Sequence, residues 1–314
     1  MSTLNVINKI ILLENLLCVF RNNLYFKPTL RIFIKLVIFI VICSHFYASV
    51  LFYQLSIVVW EVTYLDVMNI YSFTLYHLFS STNSLCAIVL SFSTTQSFKT
   101  YINCINAVQE LCKSDLLFFL AMKKLNKHVL KISTIIAIVI LGATINALLE
   151  SFKNSIIFDS MSYILFTVLD IACHYRYVVE ALTFYILIEV IVTCMHYLNE
   201  SILSTTEKLK NNQEELLELE DKLERWWVVI WNLFESCNQL SSCFGFQEVT
   251  TQLSAQAVII ILTDFVVVSI LIVTSGQRLR NEAEKLNKSL ALFENVIASC
   301  KYQIVVNYNK NVLY

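Results

Sequence analysis

The stretch SYILFTVLDIACHYRYVVEALTFYILIEVIVTCMHY, residues 162–197, decides how this chain folds. It is apolar enough to enter a bilayer, yet LDIACHYRYVVEAL (169–182) within it carries Asp170, His174, Arg176 and Glu180. A spanning helix needs about 20 largely apolar residues. These 36 residues would rise about 54 Å at about 1.5 Å each, so part of the helix must protrude from any membrane. The ionisable groups sit at i, i+4 spacing, Asp170 with His174 and Arg176 with Glu180, so each pair shares a helical face.

Composition sets the context. Hydrophobic residues make up 57% of the 314, charged residues only 15%, and the mean hydropathy is +0.65. Soluble domains carry about a quarter charged residues. Three Gly and one Pro (Pro28) supply too few turns for a β-sandwich or barrel. The reading is all-α: a polytopic helical membrane bundle with long cytosolic helical extensions. Spans are expected at about 36–60, 67–92, 132–149, 175–197 and 255–274, within a transmembrane domain of 36–274 that includes cytosolic loops 93–131 and 198–250. Segments 1–35 and 275–314 flank it. Lys and Arg concentrate in 1–35, 93–131 and 198–250, which predicts a cytosolic N-terminus by the positive-inside rule. The basic tail conflicts with a five-span count, and WWVVIWNLFESCNQLSSCFGF (226–246) is a weak sixth candidate. The N-terminal run IILLENLLCVF is interrupted by Glu14 and lacks a small-residue cleavage site, so it reads poorly as a signal peptide.

Other function classes find little support. A net charge of −1 without a basic cluster argues against nucleic acid. Ten scattered cysteines include no CxxC pair and read as reduced, core-filling thiols. HExxH, GxSxG and Walker motifs are absent, no metal-ligand spacing occurs, and no cofactor or catalytic role is expected. Between the fourth and fifth expected spans, Leu209, Leu216, Leu223 and Ile230 recur every seven residues, joined by Leu219 and Trp226. This predicts an amphipathic helix docked on its neighbours. Leu286, Leu290, Phe293 and Ile297 repeat the theme in the tail.

CMHYLNESIL (194–203), LFESCNQLSSCFGFQEV (233–249) and QRLRNEAEKLNKSL (277–290), in this order around long helical loops, resemble the insect gustatory receptor family. The resemblance implies a seven-span chemosensory receptor in the plasma membrane, a cation channel gated by small tastants, and a tetramer of like or related subunits. This chain departs from the family in compressing its fifth and sixth spans and in lacking the closing pore-lining span, as a truncated relative would. The same resemblance implies an outward-facing ligand pocket, for which Asp170, His174, Tyr177 and Glu180 on the fourth span and Tyr71 and His77 on the second are the candidates. Intramembrane ionisable groups face a bundle interior or wet cavity; the alternative is that 162–176 forms a solvated collar. Asp264, mid-span, reads either as functional or as a protonated, bonded carboxyl, and His45 as a packing histidine. The other reading of function is a non-conducting membrane adaptor, or a truncated receptor product, acting through its cytosolic helices.

Overall fold

The computed structural model describes residues 3–17, 19–21, 27–63, 82, 84–154, 160–210, 216–244 and 260–312. Every regular element among them is helical: α1 (Thr3–Leu16), α2 (Pro28–Thr63), α3 (Ser84–Ser93), α4 (Thr95–Cys112), α5 (Leu116–Asn154), α6 (Ser160–Lys210), α7 (Leu216–Phe244) and α8 (Ile260–Val312).

Each helix follows a spacing already present in the sequence. On α1, Ile7, Ile10, Ile11 and Glu14 lie at i, i+3, i+4, i+7 and are buried together. Pro28 opens α2, where its missing N–H costs nothing. Ser84, Ala87, Ile88 and Ser91 form the inward face of α3. Three hydroxyls compete for backbone where α3 meets α4: Ser93 and Thr94 donate to the Leu90 carbonyl at 3.1 and 2.7 Å, and Thr95 to that of Ser91 at 3.0 Å. Thr94 leaves helical geometry there, with φ −92° and ψ 8°. Asp115 starts α5 as an N-cap, its carboxylate accepting the Leu117 N–H at 2.9 Å. Phe118, Met122, Leu125, Val129 and Ile136 then form the buried seam of that helix.

At the centre lies α6, touching α1, α2, α5, α7 and α8, while α4 packs on α7. Ile186, Leu187, Ile191, Leu198 and Ile202 on α6 are almost wholly excluded from solvent. Burying each such side chain contributes about 1.5–3 kcal/mol. On α8, Leu271, Ser275, Leu286, Ser289, Phe293 and Val296 are buried at 3–4 spacing, with Leu279 and Glu282 half-buried on the same stripe. The pairs Glu189–Arg278 and Asn199–Ser289 run in the same order along both helices, so α6 and α8 lie parallel.

These contacts correct the expected architecture. The all-α class stands, but among the described residues only one helix, Ile171–Lys210 within α6, is long and apolar enough to cross a membrane. Of its most apolar window, 89% is buried inside the protein. Ser84–Ser93 is apolar but short. The polytopic membrane bundle is therefore not what the described residues form. The physical reason is that hydropathy counts apolar atoms without saying what covers them, and neighbouring helices of the same chain cover α6 as completely as lipid would. Residues 64–81 and 251–259, into which parts of two expected spans fall, lie outside the described residues. Large apolar side chains do remain at the surface, including Ile32, Phe33, Phe39 and Phe46 on α2 and Ile135, Ile138 and Leu141 on α5.

Candidate functional site

Three ionisable groups of α6, Arg176, Glu180 and Glu189, are used inside the fold. The chain leaves α1 through a tight turn in which the Leu17 and Val19 N–H groups both donate to the Glu14 carbonyl at 2.9 Å. This turn aims Arg21 back at α6. The Arg21 guanidinium is fully buried: its Nε donates to Glu14 Oε1 at 3.1 Å, its Nη2 to Glu180 Oε1, and its Nη1 to the Cys243 carbonyl at 3.5 Å. The guanidinium carbon sits 4.1 Å from the centroid of the Phe244 ring, a cation–π contact. One side chain thus joins α1, α6 and the end of α7.

Arg176, one turn before Glu180, is also buried. Its Nε donates to the Leu17 carbonyl at 2.6 Å and its Nη1 to the Ser84 hydroxyl, which ties the end of α1 and the start of α3 to α6. Nearby, Ser91 Oγ accepts the Phe20 N–H at 3.2 Å. Two guanidinium groups and two carboxyl groups share this sealed region, so its formal charges balance. Removing charges from water costs several kcal/mol per ion, which only dense pairing offsets. The balance is uneven at Glu14. Burial pushes its carboxyl up to about 7, with Arg21 opposing and Glu180 adding to the rise, and its Oε2 has no hydrogen-bond partner. Burial also works against the charge on Arg21, but Glu14 and Glu180 outweigh it and hold the guanidinium charged.

A second polar line joins α6 to α8 and α5. Glu189, buried, accepts from Arg278 Nη1 at 2.6 Å, and Arg278 is 49% exposed. Asn199 accepts from the Ser289 hydroxyl. His196 Nδ1 lies 3.6 Å from Glu282, whose other oxygen meets Lys285 at 2.6 Å. The Tyr185 hydroxyl is 2.9 Å from His128 Nε2, and burial, aided by Arg278 and Lys131, lowers the pKa of that imidazole. Burial raises the thiol pKa at Cys112 and Cys237 to about 11, so both stay protonated packing groups. Among the described residues no three His, Cys, Asp or Glu side chains gather as a metal site.

The site residues read from the sequence fare as follows. Glu180 joins the Arg21 network, and Tyr177, three residues before it on α6, is half-buried. The backbone at Asp170 and His174 belongs to α6, at His45 to α2 and at Asp264 to α8, but these side chains lie outside the described residues, as do Tyr71 and His77 altogether. Arg176 and Glu180 find partners on other elements, in the Leu17 carbonyl and Ser84 for the first and Arg21 for the second. Sequence reasoning missed Glu14 and Arg21. Their signal was present: two opposite charges seven residues apart, flanking LLCVF, where a solvated segment would not alternate with so many apolar groups.

No family model, no curated protein and no solved structure matches this chain. The resemblance to insect gustatory receptors is thereby corrected. Its motifs rest on short, apolar, aromatic-rich steps that any long packed helix can carry, and the seven-span layout they implied is not found among the described residues. The tastant-gated cation channel, the tetramer embedded in a lipid bilayer, and the multi-pass plasma-membrane location fall with it. A gated pore needs several helices crossing together, and one described helix qualifies, with its own chain wrapped around it.

Proposed function

We propose that the chain is a non-conducting, non-catalytic helical adaptor that binds a partner protein through the outer faces of α7 and α8. The observation that carries this reading is the use of the α6 charges. Arg21, Glu14 and Glu180 bond one another in the core, which turns α6 into a strut rather than the wall of a binding cavity. On that strut the two helices are braced. Trp226 Nε1 donates to Ser201 at 3.2 Å, the Trp226 and Phe293 rings meet edge to face at 5.4 Å, and Arg278 reaches Glu189. A braced pair of long helices offers a fixed surface at little ordering cost on binding.

The test has two parts. Whole-cell recordings from cells expressing the full chain, under voltage steps and a panel of small solutes, should show no current above untransfected cells. Amine cross-linking in the same cells should join Lys285 or Lys288 on α8, both exposed, to a peptide of another polypeptide. A current specific to the chain, or cross-links confined to the chain itself, would overturn the proposal.

A further inference from the structure

The two sides of α7 are both apolar. Its inner side buries Trp226, Val229, Leu233 and Leu240 against the rest of the fold. Its outer side carries Leu223, Trp227, Trp231 and Phe234, with Trp227 69%, Trp231 61% and Phe234 59% exposed. At 100° per residue these four lie within about 40° of one line, so they form a stripe one helix wide. Three aromatics about two-thirds exposed offer roughly 300–400 Å² of surface, the size of a functional patch on a single protein. Indoles are costly to leave in water and are enriched where binding energy concentrates.

The ends of the stripe narrow the choice of occupant. Glu220 and Glu224, both exposed, continue the same face toward the N-terminus of α7, and Asn238 and Ser241 continue it toward the C-terminus. The nearby cation Arg225 lies on the other side of the helix from Trp227, about 160° away. An anionic lipid surface would be repelled by the two carboxylates beside the indoles. A second copy packed antiparallel would set Glu220 and Glu224 against Asn238 and Ser241, giving those charges no counterpart. A helix with Lys or Arg at one end satisfies both parts of the stripe.

We infer that the Leu223–Trp227–Trp231–Phe234 stripe, with Glu220 and Glu224 at its head, seats an amphipathic helix of another protein, one with large apolar residues at 3–4 spacing and basic residues beside Glu220 and Glu224. This deepens the adaptor reading and rests on it. The mode is helix on helix: apolar anchors give affinity and the charged end sets direction.

Photo-cross-linking from the stripe itself tests this. A benzophenone amino acid replaces the exposed Asn238, on the same face one turn beyond Phe234, in the full chain expressed in cells, and the adduct peptides are sequenced. The expected adduct is a peptide of another protein with basic residues next to 3–4 spaced apolar ones. Its yield should fall at least tenfold in Trp227→Ala/Trp231→Ala and several-fold in Glu220→Lys/Glu224→Lys. Both variants should keep the parent melting temperature within a few degrees, which separates lost contact from lost fold. Adducts to the chain's own peptides, to lipid, to a peptide lacking that pattern, or no adduct at all would overturn the inference. So would yields indifferent to both variants. If Lys285 and Lys288 still cross-link to another protein in such a case, the adaptor reading survives and only this surface is wrong; if they do not, both fail together.

Discussion

Arg21→Met should be among the most damaging single changes available to this protein. The variant removes the cation that faces both Glu14 and Glu180 and leaves two carboxyl groups in a sealed region. Breaking a buried pair from one side costs about 3–5 kcal/mol. At about 2 °C per kcal/mol for a chain of this length, the melting temperature should drop by roughly 6–10 °C. The assay is thermal unfolding of the purified full chain followed by tryptophan fluorescence. The pH dependence adds a second requirement. In the parent protein the Glu14 carboxyl moves from an ordinary 4.5 to about 7 on folding. The folded state therefore holds more protons between those values, so the contribution of this carboxyl to stability is fully present below about 4.5 and falls by roughly 3 kcal/mol as pH rises to 7. Without Arg21 that carboxyl loses its stabilising cation and rises further, so the penalty should be larger at pH 8 than at pH 5. Glu14→Leu/Arg21→Met, which removes one carboxyl along with the cation and leaves Glu180 to balance the buried Arg176 in the same region, should recover part of the loss. A penalty below about 1 kcal/mol, or one equal at both pH values, would refute the reasoning.

Three further outcomes follow from the same structure. Leu187→Ala, at a fully buried position of α6, should cost about 2–5 kcal/mol in the same melting assay. Asp115→Ala removes both the cap on Leu117 and the acceptor for the Tyr197 hydroxyl at 2.7 Å, and should cost about 1–2 kcal/mol. Asp115→Asn, which can still cap, should cost less. Cysteine labelling of the native chain, read by mass spectrometry, should modify the exposed Cys43 rapidly and spare the buried Cys104, Cys112 and Cys194; rapid labelling of Cys194 would contradict the packing around α6.

Much of the helical content was legible. The heptad through Leu219, Trp226 and Ile230 does turn toward the core, as do Leu286 and Phe293. These spacings are local, and helix geometry converts them directly into faces. Leu223 belongs to the same repeat but points outward beside Trp227, because a seven-residue repeat drifts around a straight helix. What local pattern could not supply was the cover over each apolar face. The run at 162–197 has the hydropathy of a span whether lipid or protein surrounds it, and only the tertiary structure distinguishes the two. For the same reason Arg176 and Glu180 read as a pair with each other, when their partners come from residues 17–84, brought close by the turn after α1. Such long-range partners leave no periodic trace.

The claim that the chain's own helices enclose α6 is tested most directly by a disulfide between α6 and α8. Asn199 and Ser289 are hydrogen-bonded to each other in the core, so Asn199→Cys/Ser289→Cys should cross-link within one chain under mild oxidation. The product should be a monomeric band of altered mobility that reverts on reduction and is absent from either single variant. Failure of that bond to form, or its appearance only between two chains, would mean that α8 does not lie along α6 and that something other than this protein covers its central helix.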